Sequence, residues 1–203
     1  MSSIKAKIVA TARSLPENIM TNHDLEKIVD TSDDWIQSRT GIKQRHIVGE
    51  NEASSDISTK IALTLLEKSQ LSPTEIDVII VGTVTPDHFT PSTAAIVQNN
   101  INAKNAWGFD LSAACSGFIY GLETGSSLIK SGKYNNVMVI GVDTMTSILD
   151  FQDRDTCVIF GDGGGGVILQ PTKNNGIIDS LLHMDGSGGE YLIIPGGGSK
   201  IPA

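Results

Sequence analysis

Residues 77–84 read DVIIVGTV, apolar at nearly every position and without the alternation that would leave one face to water. Such a run belongs in a parallel strand covered by helices on both sides. A second run of this kind, NVMVIGV, occupies 136–142. Around them short β-branched stretches alternate with helical patterns, which predicts an α/β protein with a mainly parallel sheet.

The other elements follow from local signals. Ile4 to Ala12 reads as a first strand. Thr21 caps a short helix to Val29, and Ser32 caps a second, DDWIQSR, which Gly41 terminates. Ser54 to Gln70 carries Ile57, Ile61 and Leu65 at fourfold spacing beside Ala62 and Leu66, one apolar stripe on a helix. Ser72-Pro73-Thr74-Glu75 has the cap, the N1 proline and the acid that start a short turn of helix. Ser92 to Ile101 is predicted helical, Trp107 to Leu111 extended, and Ser116 to Lys130 helical up to Gly132. Val167–Gln170 and Ile177–Leu182 are predicted strands.

Composition narrows the function classes. The chain has 203 residues with 15 Lys+Arg against 23 Asp+Glu, a formal net charge of −8. A charge of that sign, with no Lys/Arg block, argues against nucleic acid or an anionic membrane as the main partner. No signal-peptide core or membrane-length apolar run occurs, so the expected location is the cytoplasm. Two cysteines, Cys115 and Cys157, lie far apart with no CxxC pattern, so neither a disulfide framework nor a structural zinc site is expected. Of the 21 glycines, 12 lie between Gly161 and Gly198, which makes the last quarter turn-rich.

The segment DLSAACSGF, residues 110–118, carries the chemistry. A strand ends at Leu111, the small residues Ser112, Ala113 and Ala114 turn the chain, and Cys115 stands where an amphipathic helix begins. Unpaired N–H groups and the positive end of a helix dipole favour a thiolate, the nucleophilic form. Position alone leaves two readings open: a nucleophile, or a free cysteine acting as a small buried hydrophobe.

DLSAACSGF resembles the nucleophile motif of the β-ketoacyl-acyl-carrier-protein synthase III family. Residues 29–47 (VDTSDDWIQSRTGIKQRHI), DVIIVGTVTPDHFTPSTAA, the DRDTCVIFGDG run from Asp153 and HMDGSGGEYLIIPGGGS from His183 follow that family in order. The resemblance implies a thiolase-like fold layered α-β-α-β-α, of which this chain supplies mainly the N-terminal βαβαβαββ half. It divides the chain into 1–170, the half with the nucleophile, and 171–203, the start of a second half. It also implies that the family's catalytic histidine and asparagine lie beyond the chain, an N-terminal portion of doubtful activity alone.

By that resemblance Cys115 takes an acetyl or other short acyl group from acyl-CoA. The acyl-enzyme then condenses with malonyl-acyl-carrier protein, with decarboxylation, to give 3-oxoacyl-carrier protein and initiate fatty-acid synthesis. Backbone N–H groups, that of Cys115 among them, would hold the thioester oxyanion. Thr31, Trp35, Arg39 and Arg154 fall on positions that bind the nucleotide end of coenzyme A, where an indole and a guanidinium can clamp an adenine and a second Arg can meet phosphate. No cofactor or metal is implied, since acyl-CoA and the carrier protein are substrates; a homodimer is implied for the full-length protein. Alternatives are a related synthase of hydroxymethylglutaryl-CoA or secondary-metabolite type, and an inactive fragment that only binds coenzyme A or a partner.

Other conspicuous residues read as structural. GDGGGG from Gly161 lacks the Lys-Ser/Thr of a phosphate loop and is expected to be a tight turn joining two strands, with Gly164 and Gly166 where the family usually has alanines. Cys157, in the strand-like run TCVIF, is expected to be a buried thiol. His23, His46, His88 and His183 have no ligand spacing. Asp110 and Asp143 sit at predicted strand ends, where carboxylates cap turns or helices.

Overall fold

A computed structural model describes residues 4–202. Its centre is a sheet of five strands in the order β1-β7-β6-β4-β5, formed by β1 (Lys5–Ser14), β4 (Val78–Gly82), β5 (Trp107–Leu111), β6 (Val137–Thr144) and β7 (Asp162–Thr172). β4 runs parallel to β5 and β6, whereas β7 is antiparallel to β6 and to β1. The sheet is therefore mixed rather than mainly parallel. The apolar runs 77–84 and 136–142 are its central parallel strands, as their composition requires.

Helices cover both faces. On one lie α3 (Ser54–Ser69) and α4 (Thr93–Asn100), and on the other α5 (Gly117–Lys130). The stripe of α3, Ile57, Ile61 and Leu65, is fully buried with Ile79 and Val81 of β4. The alternate residues of that strand, Val78 and Ile80, join Val137, Val139 and Leu169 beneath α5. Each such side chain contributes about 1.5–3 kcal/mol by leaving water, which is why this strand has no polar face. The Asp110 carboxylate accepts from Thr93 N at 2.6 Å and Ala94 N at 2.8 Å, capping α4 as its strand-end position suggests.

α5 packs close to the sheet because it presents a glycine face. A Cβ on Gly121 would lie 2.8 Å from Val139 Cγ1, and one on Gly125 would lie 2.9 Å from Leu169 Cδ1. The i, i+4, i+8 spacing of Gly117, Gly121 and Gly125 is the sequence trace of this contact.

A smaller lobe is built from β2 (Asn18–Thr21), the one-turn α1 (Asn22–Leu25), α2 (Asp33–Thr40), β3 (Gln44–Ile47) and the one-turn α6 (Arg154–Cys157). β2 and β3 pair antiparallel, Thr21 opposite Gln44, and Leu25, Ile36, Cys157 and Val158 form a core of their own. Ser32 caps α2 by accepting from Trp35 N, and Gly41 ends it at φ 73°, both as expected. The helix from Thr21 is shorter than expected, because the Thr21–Asp24 capping box starts a turn that closes at Leu25.

Three further expectations are corrected. The glycine run is not a turn but part of β7: Gly163 pairs with Asp143 of β6, and Gly164 to Gly166 pair with both β6 and β1. Cys157 ends a helical turn begun by the Asp153 cap rather than sitting in a strand, although its side chain is buried. Ile177 to Leu182 forms no strand: after Ile177 N donates to Ala6 O the segment crosses α5 as an irregular strap, with Tyr120 Oη donating to His183 O.

Candidate active site

Cys115 lies in a single 3-10 turn, Ala114–Ser116, between the end of β5 and the start of α5. Ala114 adopts φ 46°, a left-handed conformation that a non-glycine residue takes at a cost, and it makes the bend sharp enough to hold the cysteine outward. The thiol is exposed and unpaired with Cys157. That exposure rules out the buried-hydrophobe reading.

The turn rests on backbone. Gly82, the last residue of β4, faces Gly117 with no side chain between them, and Thr83 N donates to Leu111 O at 3.2 Å. The elbow therefore sits at the carboxyl ends of the parallel strands, where open α/β sheets place their ligand sites. A cleft of about 500 Å³ opens beside it, lined by Cys115 and Ala114, by Gly82 and Phe118, and by Gly141 to Asp143 at the end of β6. Gly161, Gly163, Gly165 and Gly166, with Ala12 of β1, complete its wall. Half of the twelve lining residues are glycines, which leaves open space beside the sulfur.

Two carboxylates brace this wall. Asp143 Oδ1 accepts from Val84 N at 2.8 Å, Thr85 Oγ1 at 2.9 Å and Thr83 Oγ1 at 3.1 Å, and so fixes the turn after β4. Thr85 Oγ1 in turn accepts from Thr144 N. Buried Asp162 accepts from Val48 N and Thr146 N and from the Thr146 hydroxyl, joining β7 to two loops. Sequence position suggested a bracing role for Asp143; nothing in the pattern singled out Asp162.

The remaining predicted site residues gather in the small lobe, outside the cleft lining. The indole of Trp35 on α2 has the Arg39 guanidinium 4.5 Å and the Arg154 guanidinium 4.2 Å from its ring centre. The fourfold spacing of Trp35 and Arg39 brings the first pair together; the second joins residues 119 positions apart in sequence numbering, 154 − 35. Thr31 Oγ1 and Arg154 Nε are buried polar atoms without a hydrogen-bond partner among the described residues. Cys157 lies in this lobe's core, where burial pushes its thiol pKa up, away from the reactive form. Among the described residues no group of three or more His, Cys, Asp or Glu side chains could hold a metal ion.

Comparison with known proteins identifies this arrangement. The model of the 3-oxoacyl-[acyl-carrier-protein] synthase III family matches residues 109–186, which include the elbow. A β-ketoacyl-[acyl-carrier-protein] synthase III of Chlorobaculum tepidum is 56% identical over 98% of this chain and 62% of its own length. Over the span it covers, the chain is thus similar to members of the 3-oxoacyl-[acyl-carrier-protein] synthase III family. A synthase III from Solibacter usitatus is 52% identical over 98% of the chain and 61% of the relative.

Solved family structures superpose on the same fold. Synthase III from Aquifex aeolicus matches with a TM-score of 0.81 at 50% identity, over 83% of this chain and 55% of that one. The Thermus thermophilus enzyme gives 0.88 at 38% identity, over 92% and 58%. The chain thus spans about three fifths of the length of the family members it matches. No helix among the described residues is long and apolar enough to cross a membrane.

Proposed function

We propose that this chain supplies the acyl-accepting half of a condensing acyltransferase. Cys115 Sγ attacks the thioester carbonyl of acetyl-CoA or another short acyl-CoA, its bond to the acyl carbon forms, and the bond to the coenzyme sulfur breaks. The coenzyme leaves as the thiolate and takes up a proton. In the whole protein, decarboxylation of malonyl-acyl-carrier protein generates the carbanion that attacks this acyl carbon, yielding 3-oxoacyl-carrier protein and releasing the cysteine. The observation that carries the proposal is the exposed thiol on a sharp bend at the carboxyl ends of β4, β5 and β6, beside a glycine-rich cleft.

The nucleotide end of the coenzyme is assigned to Trp35, Arg39, Arg154 and Thr31. An indole flanked by guanidinium groups offers a stacking face for adenine, and the cations complement phosphates. The buried, unpaired Thr31 Oγ1 and Arg154 Nε are polar atoms that a ligand would satisfy. Residues 1–170 form the half bearing the nucleophile, and 171–203 begin the next. Assembly with a second copy is assigned to β5, an edge strand whose Trp107 is exposed.

Rapid mixing with acetyl-CoA tests the acyl-transfer step through release of free coenzyme A in a first turnover. Release stoichiometric with protein, abolished by Cys115→Ser, is expected. No burst from the folded protein would refute the proposal.

A further inference from the structure

Arg45 is an arginine with 5% of its surface exposed, and it lies between the two elements that carry the Trp35–Arg154 pair. Its guanidinium donates to Val158 O at 3.1 Å, to Met20 O at 3.2 Å and to Asn22 Oδ1 at 2.9 Å. All three acceptors are neutral. Val158 is the C-cap residue of α6, one turn beyond Arg154.

Asn22, 1% exposed, extends the connection to the other helix. Its Nδ2 donates to Asp33 Oδ1 at 2.8 Å, within α2, and to Ile42 O at 2.7 Å, two residues past the end of that helix. Asp33 is the first residue of α2, two positions before Trp35. The backbone of β3 is also pressed against the chain after α6: a Cβ on Gly161 would come 2.7 Å from Arg45 Cβ. One planar fork therefore fixes α6 directly and α2 through Asn22. A single ammonium cannot reproduce a fork that reaches separate acceptors.

We infer that Arg45, acting through Asn22, is a positioning residue that sets the separation of Trp35 and Arg154 and thereby the affinity of the site for a nucleotide-bearing thiol such as coenzyme A. The inference rests on the nucleotide assignment made above, and its test separates the two. In a Trp107→Phe background Trp35 is the only one of the chain's two tryptophans left, so its emission and acrylamide quenching report the pair without any ligand. Coenzyme A binding is measured by calorimetry, and alkylation of Cys115 by iodoacetamide reports the integrity of the cleft.

Arg45→Lys is expected to raise acrylamide quenching of Trp35 towards that of Arg154→Ala and to weaken coenzyme A binding at least ~10-fold, the scale of lost charged hydrogen bonds. Cys115 alkylation should change less than about twofold, because the turn carrying Cys115 lies between β5 and α5 and none of the three acceptors of Arg45 is on either element. Should Arg45→Lys fail to fold, Asn22→Asp decides: it keeps an acceptor for Arg45 but sets two carboxylates against each other at Asp33, and the same loosening of Trp35 is expected. Unchanged Trp35 quenching in a folded variant would overturn the positioning role. A parent protein that binds no coenzyme A, while Trp35 still loosens in the variants, would refute the nucleotide assignment and uphold the positioning role.

Discussion

A Cβ added to Gly82 would lie 2.9 Å from the carbonyl carbon of Gly117, closer than real Cβ atoms approach backbone. Two glycines on different elements thus let α5, which follows the turn carrying Cys115, settle directly on the end of β4. Gly82→Ala should push the start of α5 off the strand, lowering stability by about 1–3 kcal/mol, the usual range for overpacking. Cys115 alkylation should change with it. The pair of readouts is the thermal midpoint and the iodoacetamide rate; neither moving would show that the contact does not hold the elbow.

The glycine run of β7 is matched to Ile61 of α3. A Cβ on Gly164 would lie 2.9 Å from Ile61 Cδ1 and 2.9 Å from Gly141 O. Gly164→Ala should destabilise by about 1–3 kcal/mol, and Ile61→Val alone by about 0.5–1.5 kcal/mol. Removing Cδ1 makes room, so the double variant should be more stable than the sum by at least about 0.5 kcal/mol. Strict additivity in denaturant titrations would contradict the matched packing.

Thiol counting distinguishes the cysteines. Cys115 is exposed, whereas Cys157 is buried and its thiol is held above the ordinary range by desolvation. A chromogenic disulfide reagent at neutral pH should titrate one thiol per chain in native buffer and a second only in denaturant. Two fast thiols in the native protein would contradict the placement of Cys157.

Acid should loosen the small lobe. Asp33 is held below the usual carboxylate range chiefly by the Asn22 hydrogen bond, and Asp24 well below it by Lys27 and Thr21. A depressed folded pKa gives stability that is present above the ordinary value, near 4, and is lost as pH falls through the lower folded value. Trp35 emission in the Trp107→Phe background should therefore change as pH falls below about 4. Asp33→Asn should flatten that Trp35 transition; an unaltered profile would show that Asp33 does not couple to the lobe.

How legible the fold was depended on how local its causes are. β5 and the caps Ser32 and Gly41 were readable because a turn residue or a short apolar run acts within its own few positions. Residues 163–166 were misread because glycine favours turns when considered alone; here β1 and β6 supply hydrogen bonds on both sides, and the absent side chains admit Ile61 and Leu15. Ile177–Leu182 has strand-like composition but makes a single backbone bond to β1 at Ala6. The site shows the same division. Cys115 was visible from its strand-to-helix setting, whereas nothing near Arg45 reveals that it joins Asn22 to Val158, 158 − 22 = 136 positions away.

Mass spectrometry of the protein after brief exposure to acetyl-CoA tests the central claim most directly. The account predicts one added acetyl group per chain, mapped to the peptide containing Cys115, labile to hydroxylamine as a thioester and absent in Cys115→Ser. An acetyl group on another residue, or one that persists in Cys115→Ser, would contradict it.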